Sequence, residues 1–147
     1  MDKEYSPIDG NPALKECTQK LIFGEASSRI ASSQVLSGTG ALRVTGDFLH
    51  RFMGKDTMYY SDPTWGNHGL IFKNAGFKDV RKYRYYDSKK NCLDFAGFIE
   101  DLESAPSRSV IILHACAHNP TGINQTEDTV NSPTTNHRRG SIQGTMG

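Results

Sequence analysis

Between Asn11 and Phe23 the apolar positions Leu14, Cys17, Leu21 and Ile22 fall at i, i+3, i+7 and i+8, one stripe of a helix that Gly24 ends. A polar loop, "EASSRIASS", follows, and "QVLS" reads as a short strand. "GTGALRVTGDFLHRFMG" reads as a helix entered through glycines. Ala41, Leu42, Thr45, Phe48, Leu49 and Phe52 share one side of it, and Gly54 caps it. "TMYYS" from Thr57 to Ser61 is a strand, "DPTWGNHGLIFKNAG" a turn and a short helix, and "DVRKYRYY" a further strand. The clearest helical pattern is "LDFAGFIEDLES", where Phe95, Phe98, Ile99 and Leu102 recur at i, i+3, i+4 and i+7. "SVIILH" closes the series as a strand without polar alternation, the pattern of a strand covered on both faces.

Strands alternating with helices imply crossover units, so the expected fold class is α/β, a three-layer, doubly wound, mostly parallel sheet. Such sheets bind ligands outside the carboxyl ends of their strands. Three features are expected at that edge: "SGTG" after the first strand, "DPTW" after the second and "HACAHNPTG" after the last. From Gln125 onward the pattern stops, since fifteen of the last twenty-three residues are Ser, Thr, Asn, Gln, Gly or Pro and only Val130, Ile142 and Met146 are apolar. The expected division is therefore a folded domain over 1–124 and a disordered polar tail over 125–147.

Composition narrows the function classes. A chain of 147 residues fits one domain or part of one. No window holds the run of about eighteen apolar residues that a helical membrane span needs. Seventeen basic against sixteen acidic side chains give no field that would draw nucleic acid or acidic lipid. Cys17, Cys92 and Cys116 are odd in number, widely spaced and without a C-x-x-C pair, which points to free thiols in a reducing compartment. "MDKEYSPIDG" carries neither an apolar core nor an Arg-rich amphipathic start of a targeting segment.

Ser37-Gly38-Thr39-Gly40, at a helix start, presents backbone N–H groups and hydroxyls suited to a phosphate, although a tight turn with a helix cap gives the same pattern. Trp65 follows Asp62-Pro63-Thr64 where a strand ends, placed to stack on a flat ligand or to fill core. His68, near a helix start, reads as a surface or capping residue or as part of the same site. His114, Cys116 and His118 at i, i+2 and i+4 share one face of an extended strand, which permits a metal site, but no fourth ligand is spaced to close it; a hydrogen-bonded buried histidine is the competing reading. In Asn119-Pro120-Thr121-Gly122, Pro120 fixes φ and Gly122 admits unusual backbone angles, so the Asn119 amide is held rigidly at the sheet edge. Tyr5 lies in "EYSPIDG", which by itself reads only as a turn before the first helix.

Taken together and in order, "EYSPIDG", "LSGTGALR", "DPTWGNH", "YRYYD" and "HACAHNPTG" resemble the aspartate aminotransferase family, from about Lys3 to Asn124. The resemblance implies a partial large domain of a pyridoxal-phosphate-dependent transferase. It implies the exchange of an amino group between L-aspartate and 2-oxoglutarate, with amino acids and 2-oxo acids as substrates, in a homodimer, in the cytoplasm or the mitochondrial matrix. No nucleic acid or membrane partner is implied. By the same resemblance Ser37, Gly38 and Thr39 hold the cofactor phosphate, Trp65 stacks on its ring, and Asn119 bonds its phenolic oxygen and helps hold the substrate carboxylate. His114 and His68 lie behind the ring, and Tyr5 reaches the neighbouring subunit's phosphate in trans. Family members join the cofactor to a lysine in a later Ser-Lys segment, set an aspartate on the pyridine nitrogen and clamp substrate with distal arginines. None of those segments occurs here, and "NQTEDTVNSP" stands where the family continues with Asp-Pro. The expectation is a piece truncated at both ends, without the catalytic lysine and inactive alone; a non-catalytic cofactor-binding or dimer-partner module, or an abortive gene product, is the alternative.

Overall fold

The structure is a computed structural model and describes residues 4–125. The chain divides into two compact units, Met1–Ser37 and Gly38–Gly147.

The first unit is built on helix α1 (Pro12–Phe23). Asn11 caps it, its side chain accepting from the Ala13 and Leu14 N–H groups at 2.9 and 3.3 Å, and Gly24 ends it in the left-handed region at φ 80°. Gln34 binds the Asn11 N–H at 2.9 Å, and Gln19 reaches the Ile30 carbonyl and the Ser32 hydroxyl, so the loop before residue 35 is tied back to α1. The predicted helix is present, but its stripe is not a core face: Leu14, Leu21 and Ile22 are exposed and α1 buries no residue. "QVLS" forms no strand.

The second unit carries helix α2 (Ser37–Met53, with Ser37 on the first unit's side of the division), strand β1 (Thr57–Asp62), helix α3 (Asn67–Asn74) and strand β2 (Asp79–Arg84). A short hairpin, β3 (Tyr86–Asp87) and β4 (Cys92–Leu93), leads to helix α4 (Phe95–Ser104) and strand β5 (Val110–Ile111). The sheet order is β2-β1-β5, with both pairings parallel. Successive side chains of β1 point to opposite faces and so enter two separate cores. Met58 packs with Leu42 and Leu49 of α2 and Ile71 and Phe72 of α3; Tyr59 packs with Tyr83, Tyr85 and, from α4, Phe98 and Leu102. The sheet therefore lies between α2 with α3 on one face and α4 on the other, the three-layer parallel arrangement expected from the sequence.

Three expectations need correction. The buried stripe of α2 is Leu42, Gly46 and Leu49, while Phe48 and Phe52 are 52% and 78% exposed. Gly46 leaves room for the end of α3, for a Cβ there would stand 3.0 Å from that of Ala75 and 3.5 Å from the Phe72 ring. "SVIILH" is paired only at Val110 and Ile111, with one further bond from Ile112 N–H to the Tyr59 carbonyl at 2.9 Å, and its residues after Ser109 are half-buried rather than enclosed. The hairpin, finally, interrupts what the sequence presents as one strand, "DVRKYRYY".

Candidate functional site

Parallel strands end together, so the segments after β1 and β5 meet at the carboxyl edge of the sheet. Trp65 follows β1 and is half-buried against the α2–α3 core. His68, the second residue of α3, is buried, its Nδ1 2.7 Å from the Thr64 hydroxyl and its ring edge-on to Trp65 at 5.4 Å. His114, beyond β5, lies 5.3 Å from His68 and 4.4 Å from His118, ring to ring. His118 is stacked on Tyr85 at 3.9 Å and 12°, and Tyr85 belongs to the core under α4. The five rings form a row across the strand ends, from one core to the other.

Burial sets the charge of this row. It holds His68 and His118 down to about 4, each further opposed by charge on His114 and, for His118, on His68, and burial lowers His114 as well. All three imidazoles are neutral at neutral pH. Burial also pushes the Tyr85 phenol up to about 12. His114 Nδ1 is buried and has no hydrogen-bond partner among the described residues.

The turn of residues 118–122 is closed by the Gly122 N–H to the His118 carbonyl at 2.7 Å, and Gly122 takes φ 70°. The His118 N–H meets Asn124 Oδ1 at 3.2 Å, and the Tyr85 hydroxyl donates to the Ile123 carbonyl at 2.7 Å. Asn119 is exposed in this turn. Gly38 and Thr39 stand in the first turn of α2, where backbone N–H groups have no partner within the helix. They follow irregular chain rather than a strand. Ser37, with φ 57°, and Tyr5, fully exposed, belong to the first unit.

Of the residues singled out by sequence, the structure brings Trp65, His68 and His114 into ring contact and places Asn119 in the turn that follows. The shared metal-binding face does not form. The chain past Ile111 is not a strand, Cys116 is exposed, and among the described residues no three His, Cys, Asp or Glu side chains are grouped to hold a metal ion. Sequence reasoning gave no separate role to Ser61, Tyr85 or Thr121, which hold His118; the tyrosines of "KYRYY" alternate as any strand would, and nothing local marks their partner.

A family model of class I and II aminotransferases matches residues 1–136. Cytoplasmic aspartate aminotransferase of Oryza sativa subsp. japonica is 52% identical over 131 residues, 86% of this chain and 32% of that protein. The mitochondrial enzyme of Schizosaccharomyces pombe is 47% identical over 131 residues, 86% of this chain and 30% of that protein. Among solved structures, an aromatic-amino-acid aminotransferase from Burkholderia pseudomallei, covalently bound to pyridoxal phosphate, superposes with a TM-score of 0.80 at 40% identity, over 88% of this chain and 33% of that one. The chain spans about a third of the length of the curated relatives it matches.

Proposed function

Since the chain belongs to the class I and II aminotransferases, we propose that it is the cofactor-cradling part of an aspartate aminotransferase, the enzyme that exchanges an amino group between L-aspartate and 2-oxoglutarate, and that alone it binds pyridoxal phosphate without turning over substrate. The observation that carries this reading is the row of rings at the strand ends, with the half-buried indole of Trp65 at one end and the Asn119 turn hung from the other. Aspartate is favoured as substrate because the more similar relatives are aspartate enzymes, at 52% and 47% identity. Relatives of both cytoplasmic and mitochondrial description fit the free, exposed cysteines, which suit a reducing compartment.

The residues present fit the cofactor. An anionic phosphate matches the first turn of α2, where Gly38 leaves the backbone open, Thr39 adds a hydroxyl, and Ser37 precedes them. A flat heteroaromatic ring matches the indole face of Trp65, whose orientation is pinned by the edge contact with His68. His114 Nδ1 is a buried polar atom still in need of a partner at the same edge. When bound, pyridoxal phosphate supplies an electron-withdrawing ring that eases removal of an amino acid's α-proton. The chain's own part is to bind and orient. Trp65 excludes water from one ring face, Asn119 offers its amide N–H to an oxygen on the ring edge and to a substrate carboxylate, and His68 and His114, both neutral, back the site without competing charge. In the dimer proposed from the family likeness, Tyr5 serves the partner's phosphate.

A lysine able to attack the cofactor must be neutral and desolvated. Four of the described lysines are set the other way: Lys20 and Lys82 are held in their charged form by hydrogen bonds to Glu16 and Asp62, and Lys15 and Lys78 are paired with Asp9 and Asp56. Purified chain incubated with pyridoxal phosphate is expected to retain it reversibly, with borohydride fixing no stoichiometric adduct on any one lysine, and to convert L-aspartate and 2-oxoglutarate no faster than free cofactor. Turnover above that background contradicts the proposal.

A further inference from the structure

His118 has no role in the binding scheme above, yet it is enclosed at the edge, 2% exposed. Both of its ring nitrogens are hydrogen-bonded: Nε2 lies 2.9 Å from the Ser61 hydroxyl and Nδ1 2.8 Å from the Thr121 hydroxyl, which also accepts from the Ile123 N–H at 3.2 Å. In a neutral imidazole one nitrogen donates and the other accepts, so one of these hydroxyls accepts from the ring and the other donates to it. Tyr83, the strand partner of Ser61, gives its own proton to the Ile112 carbonyl at 2.7 Å.

We propose that His118 is a positioning residue: held by Thr121 at one ring nitrogen and by Ser61 at the other, it fastens the Asn119 turn to the end of β1 and so fixes where the Asn119 amide stands. Stacking on Tyr85, whose hydroxyl holds the Ile123 carbonyl, grips the same turn from the other ring face. Protonating His118 puts a hydrogen on both ring nitrogens, so the hydroxyl that donates to the neutral ring must reverse and its link is broken. The effect on ligand rests on Asn119 touching the cofactor as proposed above; the anchoring of the turn does not.

Two variants divide the links. His118→Phe keeps an aromatic ring for Tyr85 and removes both hydrogen bonds, whereas Ser61→Ala removes one hydrogen-bond partner and leaves the ring in place, a milder change should the first fail to fold. His118→Gln restores a group that can both donate and accept, and is the rescue. In the unaltered chain, nitrogen NMR of the histidine rings is expected to show His118 as one neutral tautomer at pH 7; an imidazolium, or a mixture of both tautomers, overturns the proposal. Amide exchange at Gly122 and Ile123 is expected to accelerate about five- to tenfold in His118→Phe and in Ser61→Ala, the loss of roughly one hydrogen bond, and to recover in part in His118→Gln. Unchanged exchange overturns it. The dissociation constant for pyridoxal phosphate is expected to rise by a similar factor in both variants, with no further rise when Asn119→Ala is added; fully additive losses overturn it. Failure of the unaltered chain to bind pyridoxal phosphate refutes the cofactor reading instead, and leaves the tautomer and exchange results to judge the anchoring.

Discussion

Protonating an imidazole in the row His68, His114 and His118 places a charge where burial has already removed most of the water. The consequence is a pH dependence with a definite sign. His68 and His118 titrate near 4 in the folded chain, against an ordinary value of 6.5, so between those limits the unfolded chain binds protons that the folded chain refuses. Stability is complete above about pH 6.5, falls as pH drops through the window, and the histidine part of the loss ends near pH 4. The carboxylates held low by their partners, Asp101 by Arg84 and Glu16 by Lys20 among them, add their losses as pH falls below the ordinary carboxylate range. Urea midpoints measured from pH 8 to pH 4 should be level and then decline, with a shallower decline in His118→Phe; a level profile across the whole range contradicts the neutral row. At this scale the sequence was legible in its chemistry and illegible in its partners. Asn-Pro-Thr-Gly marked a rigid turn, and a hydrogen-bonded buried histidine was among the readings of "HACAH". That Ser61 and Tyr85 receive His118 depends on how distant segments pack, which no local pattern records.

Among the elements, α4 and α2 show what periodicity measures. Phe98 is fully buried, with its ring edge-on to Tyr83 at 5.4 Å and Tyr85 at 6.3 Å, so it supports Tyr85, which grips the Asn119 turn. Phe98→Ala is expected to cost about 3–5 kcal/mol in equilibrium unfolding, the usual range for emptying a buried aromatic site. Gly46→Leu forces α2 off α3 and is expected to cost about 1–3 kcal/mol, while Phe48→Ser, on the exposed face of the same helix, should change stability by no more than about 0.5 kcal/mol. A larger loss at Phe48 than at Gly46 would show the helix turned the other way. The sequence located α1, α2, α3 and α4 to within a few residues, because spacing and caps are local. It misjudged which stripe of α2 is buried, because spacing reports which side chains share a face and not which face another element covers. Gly46 carries no side chain for a hydropathy pattern to register, yet a Cβ there would crowd Ala75.

At the scale of the whole molecule, the chain is two units and a three-stranded parallel sheet, about a third of the length of its curated relatives. The doubly wound class followed from the alternation of elements, and the family from five motifs in register. The strand expected at "QVLS" did not form, so only two of the three expected turns, after β1 and after β5, follow strands, while "SGTG" opens α2 from irregular chain. The polar tail lies, apart from Gln125, outside the described residues. What the account claims above all is that the edge of this sheet receives pyridoxal phosphate against Trp65, and Trp65 is the chain's single tryptophan, so its fluorescence reports that contact alone. Titrating the chain with pyridoxal phosphate should quench this emission saturably, with a weaker apparent affinity in Asn119→Ala and no quenching by inorganic phosphate; emission that declines only in proportion to added cofactor, alike in the folded chain and in urea, would contradict the account.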